Sequence, residues 1–274
     1  MSAQSMPKSL FRQLQEGPSI LLLPNAWDAA SARLIEDLGA QAIATTSAGL
    51  AWSRGYPDGN ALPSAQLIAA TREIARAIRV PLSIDIEEGY SGDIDAVARL
   101  AAAVQQAGAA GINIEDGAGS PDQLCRKIAA IRHGASDSAG ELFINARTDV
   151  YLRGIAAGDA AIEQVIDRAA RYRAAGSDGL FVPGLSDPGS MAAIIAAIHP
   201  MPLNVMAVPG LPSIDALQKL GVRRLSAGSS IAQSAYRRTS HLAAAFLAGE
   251  AGELFEAAAE YTKMNALLAR TALG

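Results

Sequence analysis

The chain has 274 residues, of which 50% are apolar and 18% charged, and a formal net charge of −4 at pH 7. That apolar share is enough for a large packed core and excludes a disordered chain, while the acidic balance leaves no basic footprint for nucleic acid. No apolar run approaches the ~20 residues of a membrane span, the single cysteine excludes an intrachain disulfide, and no basic region followed by an apolar stretch opens the sequence, so no membrane partner is expected and the expected compartment is the cytoplasm.

In chain order, short apolar runs that read as strands fall at Ile20–Leu23, Ala42–Thr45, Leu82–Asp85, Gly111–Ile114, Leu142–Ala146, Gly179–Val182, Leu203–Met206 and Arg224–Ser226. Helical periodicity lies between them, as in Leu62–Arg79, with Pro63 near its first turn, and Ile94–Ala107, which stops at Gly108. Eight strands alternating with helices predict an α/β fold of the (β/α)8 TIM-barrel type, with parallel pairing and right-handed crossovers. Such barrels run to ~250 residues as one unit, so residues 1–274 are read as a single domain. Residues 228–274 form a helical extension with two amphipathic stretches, Ile231–Ala248 and Leu254–Leu273. Surplus apolar helix surface needs a partner, and a homo-oligomer, dimer or tetramer, is expected.

The strand ends carry the chemistry. Ser83-Ile84-Asp85 runs straight into Ile86-Glu87-Glu88-Gly89-Tyr90, so a buried strand ends in three carboxylates and a glycine turn. Gly111-Ile112-Asn113-Ile114 again ends in acids, Glu115-Asp116, and Leu142–Ala146 ends in Arg147-Thr148-Asp149. In a parallel barrel the active site is built at this rim. Acids crowded so tightly repel one another without a cation, and a hard ion such as Mg²⁺ takes one or two carboxylates and keeps several waters. Asp85 is therefore read as a metal ligand rather than as a cap on the next helix.

Other polar residues have plainer readings. Cys125 stands with Leu124, Ile128 and Ile131 at helical spacing and is read as core packing. His133 and His199 end helix patterns and His241 lies in the terminal helix, so all three are read as structural. Glu88 alternates away from Glu87 and is open between rim charge and ligand. Ser226-Ala227-Gly228-Ser229 reads as a helix cap in preference to a phosphate cradle. The four lysines, Lys8, Lys127, Lys219 and Lys263, fall in the N-terminal tail or in helical patterns, so no lysine sits at a strand end to form an imine.

Several of these segments resemble the isocitrate lyase and phosphoenolpyruvate mutase superfamily, which includes 2-methylisocitrate lyase, oxaloacetate decarboxylase and phosphonopyruvate hydrolase. Asn25-Ala26-Trp27-Asp28, Thr46-Ser47-Ala48-Gly49-Leu50 and Gly55-Tyr56-Pro57-Asp58 are similar to its substrate loops. Asp85-Ile86-Glu87-Glu88-Gly89-Tyr90 is similar to its Asp-x-Asp-x-Gly-Tyr-Gly metal motif, Ile114-Glu115-Asp116 to its second acidic pair, and Ala146-Arg147-Thr148-Asp149 to its arginine motif. The resemblance implies a (β/α)8 barrel, dependence on Mg²⁺ with Mn²⁺ as an alternative ion, and a tetramer in which the last helix is exchanged between subunits.

It also implies roles. Asp85 would bind the metal directly, with Glu87 and Glu115, and further out Asp58, acting through waters. Ser47 and the backbone N–H groups of Gly49 and Leu50 would hold a substrate carboxylate. Arg147 would add a two-pronged donor, Trp27 would line the substrate site, and Asn204 would supply a further polar contact. Ser47, Asp58 and Arg147 are the catalytic candidates.

The chain departs from the superfamily in ways that bear on its substrate. The Lys-x-Cys-Gly-His loop of the lyases is missing, because only Gly117-Ala118-Gly119-Ser120 separates Asp116 from the helix that begins near Pro121. The mutase's asparagine-bearing loop is missing too. Glu87 replaces the second motif aspartate, and Val182-Pro183-Gly184 stands where the lyases carry Pro-Glu. The expected activity is carbon–carbon cleavage of a small 2-oxo or 2-hydroxy carboxylate through a metal-stabilised enolate, oxaloacetate decarboxylase-like or methylisocitrate lyase-like. The alternatives are phosphorus–carbon chemistry of the phosphonomutase or phosphonopyruvate hydrolase kind, or a non-catalytic 2-oxo acid binding protein.

Overall fold

The computed structural model describes residues 6–134, 142–256 and 258–272. Its strands are β1 (Leu21–Leu23), β2 (Asn25–Ala26), β3 (Ile43–Thr45), β4 (Leu82–Asp85), β5 (Gly111–Glu115), β6 (Phe143–Arg147), β7 (Gly179–Phe181), β8 (Leu203–Met206) and β9 (Arg224–Ser226). All pairings are parallel, in the order β1-β9-β8-β7-β6-β5-β4-β3-β2. Between β1 and β2 lies only Pro24, which has no N–H to give the ladder. β1 pairs with β9, Leu21 opposite Arg224, and β2 pairs with β3, Asn25 opposite Ala44. The first expected strand, Ile20–Leu23, thus continues past the proline, and with β1 and β2 taken together eight strands form a nearly closed barrel.

The helices are α1 (Met6–Glu16), α2 (Ala29–Asp37), α3 (Ser47–Trp52), α4 (Ser64–Ala77), α5 (Ile94–Gln106), α6 (Pro121–Gly134), α7 (Gly158–Ala175), α8 (Pro188–Ile198), α9 (Ile214–Leu220), α10 (Ser230–Leu247) and α11 (Tyr261–Ala272). Outward-facing Ile84, Ile112, Ile144, Leu180 and Val205 pack under Leu67, Ile74, Val97, Ile128, Val165 and Ile194 of the helices, and all are buried. Among the described residues no helix is long and apolar enough to cross a membrane.

Side chains facing the barrel axis change character along it. At the end where the strands begin, Leu21, Leu23, Ala42, Ala44 and Phe143 close a second apolar cluster around Phe11 of α1. Phe11 is fully buried and meets Phe143 edge to face at 5.6 Å. A Cβ on Gly111 would lie 2.6 Å from the Phe11 ring, so the glycine makes room for the plug. Residues 6–16, read from sequence as a tail, are therefore a helix that seals the floor. One layer up, Asn113, Asn145, Asn204 and Arg224 fill the interior, and above them Asp85, Glu115 and Arg147 end their strands at the opposite mouth.

The C-terminal segment corrects one further expectation. Leu254–Leu273 is not one helix: a 3-10 turn at Gly252–Phe255 precedes α11, and Leu273 lies outside the described residues. The turn is tied back to α10, because Glu253 accepts from Arg238 Nη1 at 3.2 Å and pairs with His241 Nε2 at 2.8 Å. α11 packs on α2 and α4 of its own chain with Leu267 buried, whereas α10 buries only Ala232 and leaves Phe246 and Leu247 exposed.

Candidate active site

Asp85 ends β4 in the mouth and is 8% exposed. Its backbone N–H donates to Thr45 Oγ1 at 2.9 Å, and its Oδ1 accepts the Glu87 N–H at 3.0 Å. The Ser47 N–H, first in α3, also faces this carboxylate. Burial raises the Asp85 pKa and the charge of Asp58 adds to the rise, while Arg147 and the two backbone donors pull it down; the net shift is upward. Asp85 caps no helix, since α5 is capped by Asp93.

The turn after Asp85 is strained and held from three sides. Glu87 (φ 49°), Gly89 (φ 95°) and Tyr90 (φ 55°) all lie in the left-handed region, costly for the two non-glycines and retained only where surroundings enforce it. Tyr90 Oη donates to Glu87 Oε1 at 2.7 Å, the Asn60 N–H donates to Glu87 Oε2, and Lys127 Nζ donates to the Glu88 carbonyl at 2.6 Å. Glu87 is 4% exposed, and burial raises its pKa. Glu88 turns away toward Lys127 and Gly117, whose missing Cβ would lie 2.1 Å from Glu88 Oε1, so it is not part of the acid cluster.

Across the mouth, Glu115 Oε2 meets Arg147 Nη1 at 2.6 Å. Burial lifts the Glu115 carboxyl, Arg147 pulls it back, and Asp85, Asp149 and Glu87 push it up to about 8. Arg147 is held from behind by Asp149, Nε to Oδ1 at 2.7 Å and Nη2 to Oδ2 at 3.2 Å, and its guanidinium lies 5.8 Å from the centre of the Phe181 ring. Burial alone would lower its pKa, but Glu115, Asp149 and Asp85 reverse this and the net shift is upward.

Asp85, Glu87, Glu115 and Arg147 therefore converge. Among the described residues no three acid, histidine or cysteine side chains stand close enough to cage a metal. Glu87 is engaged by Tyr90 and Asn60 and Glu115 by Arg147, whereas Asp85 accepts from the backbone N–H groups of Glu87 and Ser47 and, among the described residues, from no side chain. Such a donor set fits a hard cation that keeps most of its waters and takes one or two protein oxygens. Asp58 stands exposed in the loop before α4, near enough for its charge to act on Asp85 and Glu87.

Two expected substrate contacts, Leu50 and Asn204, are engaged elsewhere. Thr46 to Leu50 is not a loop but the start of α3, and the Leu50 N–H is spent on the Thr46 carbonyl at 3.0 Å. Gly49 is a packing glycine, for a Cβ there would meet Thr46 Cγ2 at 2.8 Å, Trp27 Cβ at 3.0 Å and Ala232 Cβ at 3.1 Å. Asn204 is 1% exposed, its Oδ1 accepting from Asn145 Nδ2 at 3.0 Å and its Nδ2 donating to the Val205 carbonyl at 2.7 Å. It is committed to the interior layer. Ser47 and half-buried Trp27 remain at the mouth.

Cys125 packs at the edge of the core and burial raises its thiol pKa. His133 lies in the last turn of α6, and His199 caps α8. Ser229 occupies the N-cap position of α10 without a side-chain cap bond, and the Gly228 N–H donates to Asn25 Oδ1 at 2.9 Å. The sequence reading missed Asn60, Thr45, Asp149 and Arg224. Of these, Asp149 was visible in the strand-end pattern, and the others depend on contacts 20 or more residues away.

The family model for phosphoenolpyruvate phosphomutase matches residues 11–247. An uncharacterized Mycobacterium tuberculosis protein is 39% identical over 245 residues, 88% of this chain and 90% of that one. The 2-methylisocitrate lyase of Bacillus subtilis is 32% identical over 67% of this chain and 62% of its own length, and the oxaloacetate decarboxylase of Ectopseudomonas mendocina 29% over 85% and 81%. A phosphonomutase-like protein from Burkholderia cenocepacia superposes with a TM-score of 0.81 at 37% identity, covering 86% of this chain and 98% of that one. A phosphonopyruvate hydrolase solved with oxalate and Mg²⁺ shares the fold at 20% identity, TM-score 0.83, over 100% and 97%. With its acids and arginine gathered where the strands of a parallel barrel end, the chain belongs to the isocitrate lyase and phosphoenolpyruvate mutase superfamily.

Proposed function

We propose that the protein is a Mg²⁺-dependent carbon–carbon lyase acting on a small 2-oxo or 2-hydroxy carboxylate, with oxaloacetate decarboxylation the first reaction to test. The observation that carries this is the convergence of Asp85, Glu87 and Glu115 with Arg147 at the mouth. Bound at Asp85, Mg²⁺ would supply Lewis acidity for charge developing on a chelated 2-oxo acid.

The side chains divide the remaining work. Arg147 has five N–H donors, of which three are engaged by Asp149 and Glu115, leaving two for an anionic ligand. Being held from behind, it loses little freedom on binding, which favours orientation of the substrate. Tyr90 and Asn60 fix Glu87, and the Ser47 N–H fixes Asp85. The loop from Gly117 to Ser120 carries no acid or base, which favours a reaction whose product is protonated by solvent over one that needs a catalytic thiol on that loop.

Phosphorus–carbon chemistry is the second reading, favoured by the likeness to the phosphonomutase-like protein. A binding protein without turnover is a third. We also propose a cytoplasmic homo-oligomer that covers α10, of which only Ala232 is buried and whose Ile231, Tyr236, Phe246 and Leu247 are exposed. The test is turnover of oxaloacetate, methylisocitrate, isocitrate, phosphonopyruvate and phosphoenolpyruvate in Mg²⁺, with Asp85→Ala as control. Pyruvate from oxaloacetate, absent in the variant, supports the proposal; phosphate release moves it to phosphorus–carbon chemistry, and binding without turnover of any of the five rejects catalysis on this substrate class.

A further inference from the structure

Arg224 is a cation in a place where the fold alone has no use for one. It is 1% exposed and projects from β9 across the barrel, its Nη2 donating to Asn113 Oδ1 at 3.1 Å. Among the described residues its Nε and Nη1 have no hydrogen-bond partner, and no carboxylate forms an ion pair with it. Barrel interiors are usually filled by branched apolar residues, and an arginine buried without an ion pair is destabilising because its desolvation is not offset by a partner charge.

Its position relates it to the site. Asn113 is the register partner of Asp85, both facing inward, so the guanidinium that reaches Asn113 lies in the interior beneath the Asp85 strand end. Asp85 is the one charge on the described chain that acts appreciably on Arg224. Burial brings the Arg224 pKa down to about 9 and Asp85 holds it up, so at neutral pH the group remains a cation. Asn145 and Asn204 buttress the arrangement: Asn145 Nδ2 donates to Asn113 Oδ1 at 2.9 Å and to Asn204 Oδ1 at 3.0 Å.

We propose that Arg224 is an electrostatic positioning residue, a fixed interior cation kept at a cost in stability because it favours negative charge at the Asp85 end of the barrel, including that of a bound anionic 2-oxo acid. It acts from beneath, through the field it sets up and through Asn113, without touching the ligand. The inference rests on the proposed function, since it needs an anion at the mouth.

The test compares wild type, Arg224→Met and Arg224→Lys, using thermal melts in EDTA and calorimetric titration with oxalate in saturating Mg²⁺. Arg224→Met is expected to melt at or above the wild-type temperature, because an unpaired buried charge is removed, and to bind oxalate on the order of tenfold more weakly, the scale of one partly screened charge interaction. Arg224→Lys should recover most of the affinity. Oxalate binding by Arg224→Met within about twofold of wild type overturns the inference. So does a variant that melts well below wild type or fails to fold, because the arginine would then serve the fold. If wild type itself binds no oxalate in Mg²⁺, the proposed function falls first and this inference with it.

Discussion

Glu115 and Asp116 are consecutive in the chain and face opposite sides of the barrel wall. Glu115 points into the mouth against Arg147, whereas Asp116 points back into the wall, accepting from Arg168 Nη1 at 2.7 Å, Tyr172 Oη at 2.6 Å and the Asp149 N–H at 3.0 Å. Asp149 in turn holds Arg147, so one acid belongs to the site and its neighbour anchors the strand end that carries the site's arginine. Removing the Asp116 charge leaves Arg168 buried and unpaired, which costs ~3–5 kcal/mol. Asp116→Asn should therefore melt roughly 10 °C lower, and Tyr172→Phe, which loses one hydrogen bond, should lose only ~1–2 kcal/mol. Equal melting temperatures for wild type and Asp116→Asn would refute this anchoring.

The acid cluster predicts a pH dependence. The Glu115 pKa is about 8 in the folded chain against an ordinary 4.5, so between these values the folded state holds a proton that the unfolded state has released. Stability therefore falls as pH rises through that window, and the upward shifts of Asp85 and Glu87 act in the same direction. In EDTA the melting temperature should decline between pH 5.5 and 8.5. Mg²⁺ binding requires ionised ligands, so it should stabilise most at pH 8.5. A melting temperature that is flat or rises with pH in EDTA would show that these carboxylates are not desolvated as described.

Arg147→Lys keeps the charge and loses the fork that Asp149 and Glu115 grip. A lysine cannot hold both partners and a ligand in one plane. kcat/KM for the substrate identified in the screen should fall on the order of 10²-fold, with the melting temperature changed far less than in Asp116→Asn. Unchanged kcat/KM would remove Arg147 from the site.

The floor of the barrel separates stability from function. Phe11 fills the end remote from Asp85, against Gly111 and Phe143, and truncating such a buried ring costs ~3–5 kcal/mol. Phe11→Ala should lower the denaturant midpoint while leaving KM unchanged in the folded protein. A shifted KM would mean that the plug shapes the mouth.

Local rules explain what was legible in the sequence. Strand period, the glycines and prolines between runs, and the recurrence of acids at strand ends require only neighbours in the chain, and they placed all eight barrel strands and the Asp85, Glu115 and Arg147 cluster. The same rules left residues 6–16 as a tail, because a plug is defined by what it fills: Gly111 and Phe143, about 100 residues on or more. They also treated Leu50 as a free backbone donor and Asn204 as a ligand contact, since residue type does not reveal that one N–H closes the first turn of α3 and that one amide is taken up by Asn145 and Val205.

By itself, then, the sequence determined the barrel and its acidic rim, because strand periodicity and crowded like charges are properties of adjacent residues. Ring closure around Pro24, the opposed directions of Glu115 and Asp116, the left-handed turn at Glu87 and the unpaired Arg224 beneath Asp85 were decided by the tertiary structure. Each depends on which strand comes to lie beside which, and on which groups are thereby taken out of water.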